Sequence, residues 1–265
     1  MGLTLFWELQ LKRELSRTPA VDDSLMLFEL PPVEPAQDPL DAIEAMRLLR
    51  ERCLDLPFES VSELMHLSAE PAAGSRASEL WKDADCRAAR SDERRFPLAP
   101  IEVVGFTVWA GGDCESGSIF LARYPSTYWA GLKRERTGWP LWSGHGLCKT
   151  QYASLRGQAH FIRCHLTMIA ALDEARRLGL LNDVHDEGNF WGQRSVESLT
   201  QAVEEWNAML AGLGGALKDA LGDGAVAAPI FSHPAFERLE ALASGNANLT
   251  EFWEIVRKLT VDLRV

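Results

Sequence analysis

The chain lacks most of the signatures by which a sequence announces its chemistry. Its five cysteines (Cys53, Cys86, Cys114, Cys148, Cys164) are odd in number, scattered, and include no CxxC pair. That pattern excludes a disulfide framework and fits reduced thiols. Positive charge is short: 27 Lys and Arg stand against 38 Asp and Glu, a net charge of −11. Nucleic-acid affinity rests on neutralising phosphates with basic side chains, so a nucleic-acid partner is not expected. No run approaches the ~20 uncharged apolar residues needed to cross a bilayer. No basic leader precedes the first apolar residues and Glu8 soon follows them, so no secretion signal is expected and a cytoplasmic location is.

Catalytic motifs are missing in the same way. There is no Walker A sequence, no GxGxxG after a strand and no HExxH. Gly111-Gly112-Asp113-Cys114-Glu115-Ser116-Gly117 is glycine-rich, but Ser118-Ile119-Phe120 supplies neither the Lys nor the helix that a phosphate loop requires. Ser143 in Trp142-Ser143-Gly144-His145-Gly146 has Leu141 where a nucleophile elbow needs its first glycine.

What is present is an ample supply of core-forming residues. Apolar residues make up 46% of the 265, with nine Trp and eleven Phe, enough for one large domain. Leu3 to Leu11 reads as a strand, and five prolines in 17–39 block regular structure. Asp38-Pro39 opens a helix carrying Ile43, Met46, Leu49 and Cys53. Phe58 to Leu67 alternates like a half-buried strand. Residues 69–96 read as solvated loop or short helix, pinned by Trp81. Ile101 to Trp109, with Gly105 as a bulge, and Ile119 to Tyr124 form a long hairpin. Lys133-Arg134-Glu135-Arg136 reads as a solvated loop.

Helical periodicity dominates after Gln158. Phe161, His165, Met168, Leu172 and Ala175 mark one helix, closed by Gly179. Ser195 caps a second, with a stripe of Val196, Leu199, Val203, Trp206 and Leu210 that Gly212, Gly214 and Gly215 should interrupt. Further helices are expected after His233-Pro234 and from about Thr250. The prediction is an α+β protein in one domain, its strand-rich half to about residue 128 packed against a helix-rich half from about 145.

Three polar segments are the candidate site. Lys149, Gln151 and Tyr152, with Arg163, would hold an anionic ligand. His165, within an apolar stripe, would be a buried neutral base. Asp186 and Glu187, in a Gly turn, would orient that base or bind a hard cation. Placed at the junction of the two halves, these suit a small-molecule-binding protein or an enzyme of hydrolase or transferase type. Two minor arrangements compete with it: a zinc set of His145, Cys148, His160 and Cys164, and a Cys148–His165–Asp186 triad. A different class of reading is a non-catalytic accessory protein that binds another protein through exposed Trp129, Trp139 and Trp142.

From Gly105 to about Leu210 the chain resembles a group of uncharacterised bacterial proteins. The resemblance is carried by Gly105-Phe106-Thr107-Val108-Trp109, Cys148-Lys149-Thr150-Gln151-Tyr152-Ala153-Ser154, Arg163-Cys164-His165-Leu166, Asp186-Glu187-Gly188 and Glu205-Trp206-Asn207. It implies no particular activity.

Overall fold

The computed structural model describes residues 3–11, 39–85, 88–91, 94–130, 133–137, 142–222 and 227–245. The proline-rich segment 17–38, the Asp38 cap, Trp139 and the helix expected from Thr250 lie outside the described residues. In chain order the elements are β1 (Thr4–Gln10), α1 (Pro39–Leu54), β2 (Ser60–Val61), β3 (Met65–Leu67), α2 (Arg76–Asp85), β4 (Ala88–Ser91) and β5 (Arg94–Pro97). There follow β6 (Glu102–Trp109), β7 (Gly117–Arg123), β8 (Thr127–Ala130), β9 (Lys133–Arg136), β10 (Trp142–Lys149) and a 3-10 turn at Gln151–Arg156. Then come α3 (Gln158–Arg177), β11 (Leu181–Asp186), α4 (Phe190–Gln193), α5 (Val196–Leu221), a 3-10 turn at Pro229–Ser232 and α6 (Phe236–Gly245). This is the expected α+β class, with antiparallel strands concentrated in the first half and helices in the second.

The main sheet runs β11-β1-β10-β7-β6-β2, with β3 also on β6, and every pairing is antiparallel. The first strand of the chain therefore sits between two strands from its second half. Alternation in β1 shows why the sheet has two unlike faces. Leu3, Leu5, Trp7 and Leu9 are buried, whereas Phe6 and Glu8 are exposed. The first set joins Val104, Phe106, Ile119, Leu121, Trp142 and Cys148 in the principal core, beneath α1, α3 and α5. On the other face, α2 presses Leu80, Trp81 and Ala84 onto Val103, Phe120 and Ala122 of β6 and β7. Trp81 thus pins its segment as expected, on a helix.

Several local expectations are corrected. Gly105 is not a bulge: it pairs in register with Phe120, and a Cβ there would lie 2.5 Å from the Phe120 Cβ. Its missing side chain lets β6 and β7 close over a bulky ring. The glycines of α5 do not break it either, and the helix runs 26 residues. A Cβ at Gly215 would fall 1.6 Å from Glu240 Oε1 of α6, so the glycine makes a packing notch for that side chain. The basic segment 133–136 is a strand paired with β8. Ser195 does cap α5, its Oγ accepting from Ser198 N at 3.1 Å.

Candidate functional site

None of Lys149, Gln151, Tyr152, Arg163, His165, Asp186 and Glu187 lines either of the two described hollows. His165 is completely buried on α3, its Nδ1 2.8 Å from Thr150 Oγ1. Its Nε2 lies 3.5 Å from Asp186 Oδ1 without hydrogen-bond alignment. Asp186 ends β11 and organises the turn behind it: Oδ1 accepts from Gly188 N and Oδ2 from Trp191 N, both at 2.8 Å. Burial opposes ionisation of this carboxyl, but the neighbouring His165 and these two backbone donors outweigh it and hold its pKa below the ordinary value. Glu187 Oε2 accepts from Thr4 N at 2.8 Å, fastening the start of β1 to the same turn.

Gln151 and Tyr152 are not in an extended strand but in the 3-10 turn after β10. Buried Gln151 accepts from Leu3 N at 3.0 Å and donates to Asn207 Oδ1 at 3.4 Å. Asn207 in turn donates to Ser154 Oγ at 3.0 Å. Half-buried Tyr152 lines neither described hollow. Together these groups form an interior polar seam tying β1, β10, β11, α3 and α5 at one end of the sheet. Its groups largely satisfy one another's donors and acceptors, with His165 Nε2 left without a hydrogen-bond partner. Sequence reasoning singled out these residues but not their hydrogen-bond partners, because a burial pattern gives no partner for a polar group.

The two cations of the expected anion site are already engaged. Lys149 Nζ lies 3.5 Å from Glu115 Oε1, and Arg163 Nη2 lies 3.3 Å from Glu59 Oε1. The zinc set is split by the sheet. His145 projects to the α2 face, edge-on to the Phe120 ring with centroids 5.7 Å apart, whereas Cys148 is buried against the other face. Among the described residues, no group of three or more His, Cys, Asp or Glu is placed to hold a metal ion. Cys148 is engaged with Cys114 and the Glu115 carbonyl, away from His165, so the triad is not assembled. Trp142 is fully buried and cannot join an exposed patch with Trp129, which is 66% exposed.

The larger of the two described hollows lies between α2 and the sheet. It is an open groove of about 790 Å³ with Glu79 and Asp83 of α2 on one side and β1, β10 and β11 on the other. Pairing between β10 and β7 ends at Trp142–Arg123 and Ser143–Ala122. Past that point the groove is bounded by Glu115, Ser116 and Ser118 on one strand end and by His145, Gly146 and Leu147 on the other. Two cross-strand rows build its floor. Leu147, Phe6 and His185 are register partners in one row, and His145, Glu8 and Asp183 in the next. Phe6 and His185 are in ring contact, 6.0 Å between centroids. Ser118 Oγ donates to Asp83 Oδ2. Five carboxylates line the groove, those of Glu8, Glu79, Asp83, Glu115 and Asp183, and its described lining includes no Lys or Arg.

Neither a protein-family model, a curated protein nor a solved structure matches the chain. Among the described residues, no helix is long and apolar enough to cross a membrane.

Proposed function

We propose that this protein binds a small organic cation, a protonated amine with an apolar body, in the groove between α2 and the β1–β10–β11 face. The observation that carries the reading is Glu8 directly opposite Asp183 on adjacent antiparallel strands, in a groove whose described lining holds three more carboxylates, two histidines and no Lys or Arg. Like charges in register across two strands destabilise a sheet. A bound cation reverses the sign of that interaction. Glu8 is eased a little by Asn182 Nδ2, 3.3 Å from its Oε2, but that amide is neutral.

The apolar part of the ligand has its own surface. Phe6 and Leu147 are 38% and 47% exposed, side by side in register. An exposed ring beside carboxylates offers a face for a cation and apolar area for its chain. A hollow of about 790 Å³ falls within the roughly 300–1,000 Å³ range of small-molecule sites. The anionic ligand expected from Lys149 and Arg163 is set aside on charge grounds, since both cations are paired with glutamates. The reading is one of binding; the polar seam around His165 supports the fold beneath the site.

The test is a calorimetric titration at low ionic strength with propane-1,3-diamine, spermidine and citrate. The amines bind, and their affinity falls as salt rises because the groove is open and its charges are screened. Citrate does not bind. Tighter binding of citrate than of either amine would refute the proposal, as would silence from both amines at millimolar concentration.

A further inference from the structure

The groove leaves unused a row of three buried thiols. Cys114 lies in the loop between β6 and β7, Cys148 on β10 and Cys164 on α3. The Cys114 and Cys148 sulfurs are 3.8 Å apart, with Cys164 the next thiol in the electrostatic surroundings of Cys114. A disulfide bond is ~2.05 Å long, so the first pair needs a sulfur displacement of less than about 2 Å to close. The backbone already runs in the right place. Glu115 N donates to Lys149 O at 3.3 Å, and the Cys148 thiol donates to Glu115 O at 3.2 Å. Chains so paired lie about 5 Å apart, inside the Cα separation that a disulfide tolerates.

Access is asymmetric. Cys148 and Cys164 are fully buried, but Cys114 keeps 7% of its surface. It lines a second hollow of about 400 Å³, beside Arg76, Glu79 and Trp109. Arg76 and Glu79 give that described lining one charge of each sign, so the approach to Cys114 is not barred to a zwitterionic molecule.

We propose that Cys114 and Cys148 are a reversible two-electron oxidation site, with a low-molecular-weight disulfide of the glutathione type as the oxidant. Cys114 loses its proton and attacks one sulfur of the oxidant, forming a mixed disulfide. The departing thiolate takes up a proton and leaves as a thiol. Cys148 then loses its proton and attacks the Cys114 sulfur, forming the intramolecular bond and expelling the second half of the oxidant, also as a thiol. Two protein thiols are oxidised, one external disulfide is reduced, and all protons are accounted for.

The hydrogen bond to Cys148, together with burial, pushes the Cys114 thiol well above its ordinary range. Thiolate is therefore scarce at neutral pH, and the reaction is slow and accelerates as pH rises. Cys164 is the other neighbour of Cys114. Its sulfur is 3.6 Å from the Ala110 carbonyl oxygen and 3.6 Å from His160 Nε2.

The experiment treats the folded full chain with oxidised glutathione, alkylates the remaining thiols and maps the peptides by mass. The expected product has lost about 2 Da, links the Cys114 and Cys148 peptides, leaves Cys53 alkylated and reverts with dithiothreitol. Cys148→Ala instead stops at one glutathione adduct on Cys114, while Cys164→Ala still forms the link. If either variant does not fold, the wild-type peptide map decides alone. Complete alkylation of all thiols after oxidation, or a link through Cys164 or Cys53, overturns the proposal.

Discussion

Replacing Asp186 by Ala should be among the most destabilising single changes in the polar seam. Its two carboxylate oxygens each accept a backbone N–H at 2.8 Å, from Gly188 and from Trp191. A hydrogen bond to a charged group contributes about 1.5–3 kcal/mol, and a buried donor left without a partner costs about 1–3 kcal/mol. Gly188 is buried and Trp191 half-buried, so one donor is stranded fully and the other in part. The expected loss is about 3–5 kcal/mol, read as a shift in the urea midpoint with unchanged slope.

The same site makes a pH prediction. The Asp186 carboxyl is held below its ordinary value, so the stabilisation is complete above the unfolded pKa of about 3.9. It is lost as pH falls from there through the folded value. Asp186→Asn should therefore flatten the acid limb of the stability curve relative to wild type. A loss below about 1 kcal/mol for Asp186→Ala, or an unchanged acid limb for Asp186→Asn, would refute the structural role given to this residue.

Lys149→Met frees Glu115, a groove residue, from a half-exposed pair at 3.5 Å. Such a pair contributes less than about 1 kcal/mol, so the melting temperature should barely move while amine affinity rises about two- to threefold by calorimetry. His165→Gln should cost about 1–2 kcal/mol through the Thr150 hydrogen bond, visible in urea titration, and leave amine affinity unchanged. A lost binding signal in a folded His165→Gln protein would return this residue to the functional site. Gly105→Ala places a methyl 2.5 Å from the Phe120 Cβ. It should destabilise by about 1–3 kcal/mol through strand separation, measured by thermal unfolding.

The fold was legible in the sequence wherever one periodicity ran without competition. The stripe from Phe161 to Ala175 became α3, and the apolar run from Leu3 to Leu11 became β1, with Leu3, Leu5, Trp7 and Leu9 buried. Glycines misled because their meaning depends on a neighbour: Gly105 faces Phe120 and Gly215 faces Glu240, contacts fixed by tertiary packing. The apolar surroundings of His165 were read correctly, but which of its ring nitrogens finds a partner cannot be read in one dimension. Nδ1 has Thr150 Oγ1 at 2.8 Å, whereas Nε2 faces Asp186 without a hydrogen bond.

The groove was invisible for a different reason. Glu8, His145 and Asp183 are ordinary residues of three distant segments, and no local pattern marks them. They meet because β1 inserts between β10 and β11 in one register, and a slip of one residue would turn Glu8 toward the core. The zinc reading failed on the same alternation, since His145 and Cys148 are three apart on one strand and face opposite ways.

The measurement closest to the central claim is the affinity of propane-1,3-diamine for the Glu8→Gln/Asp183→Asn double variant against wild type, with urea titrations alongside. Each lost carboxylate removes roughly 0.3–1 kcal/mol of attraction at such an exposed site. Diamine affinity should therefore drop about three- to thirtyfold while the protein, relieved of a like-charge pair, becomes no less stable. Undiminished diamine affinity in a folded double variant would contradict the account.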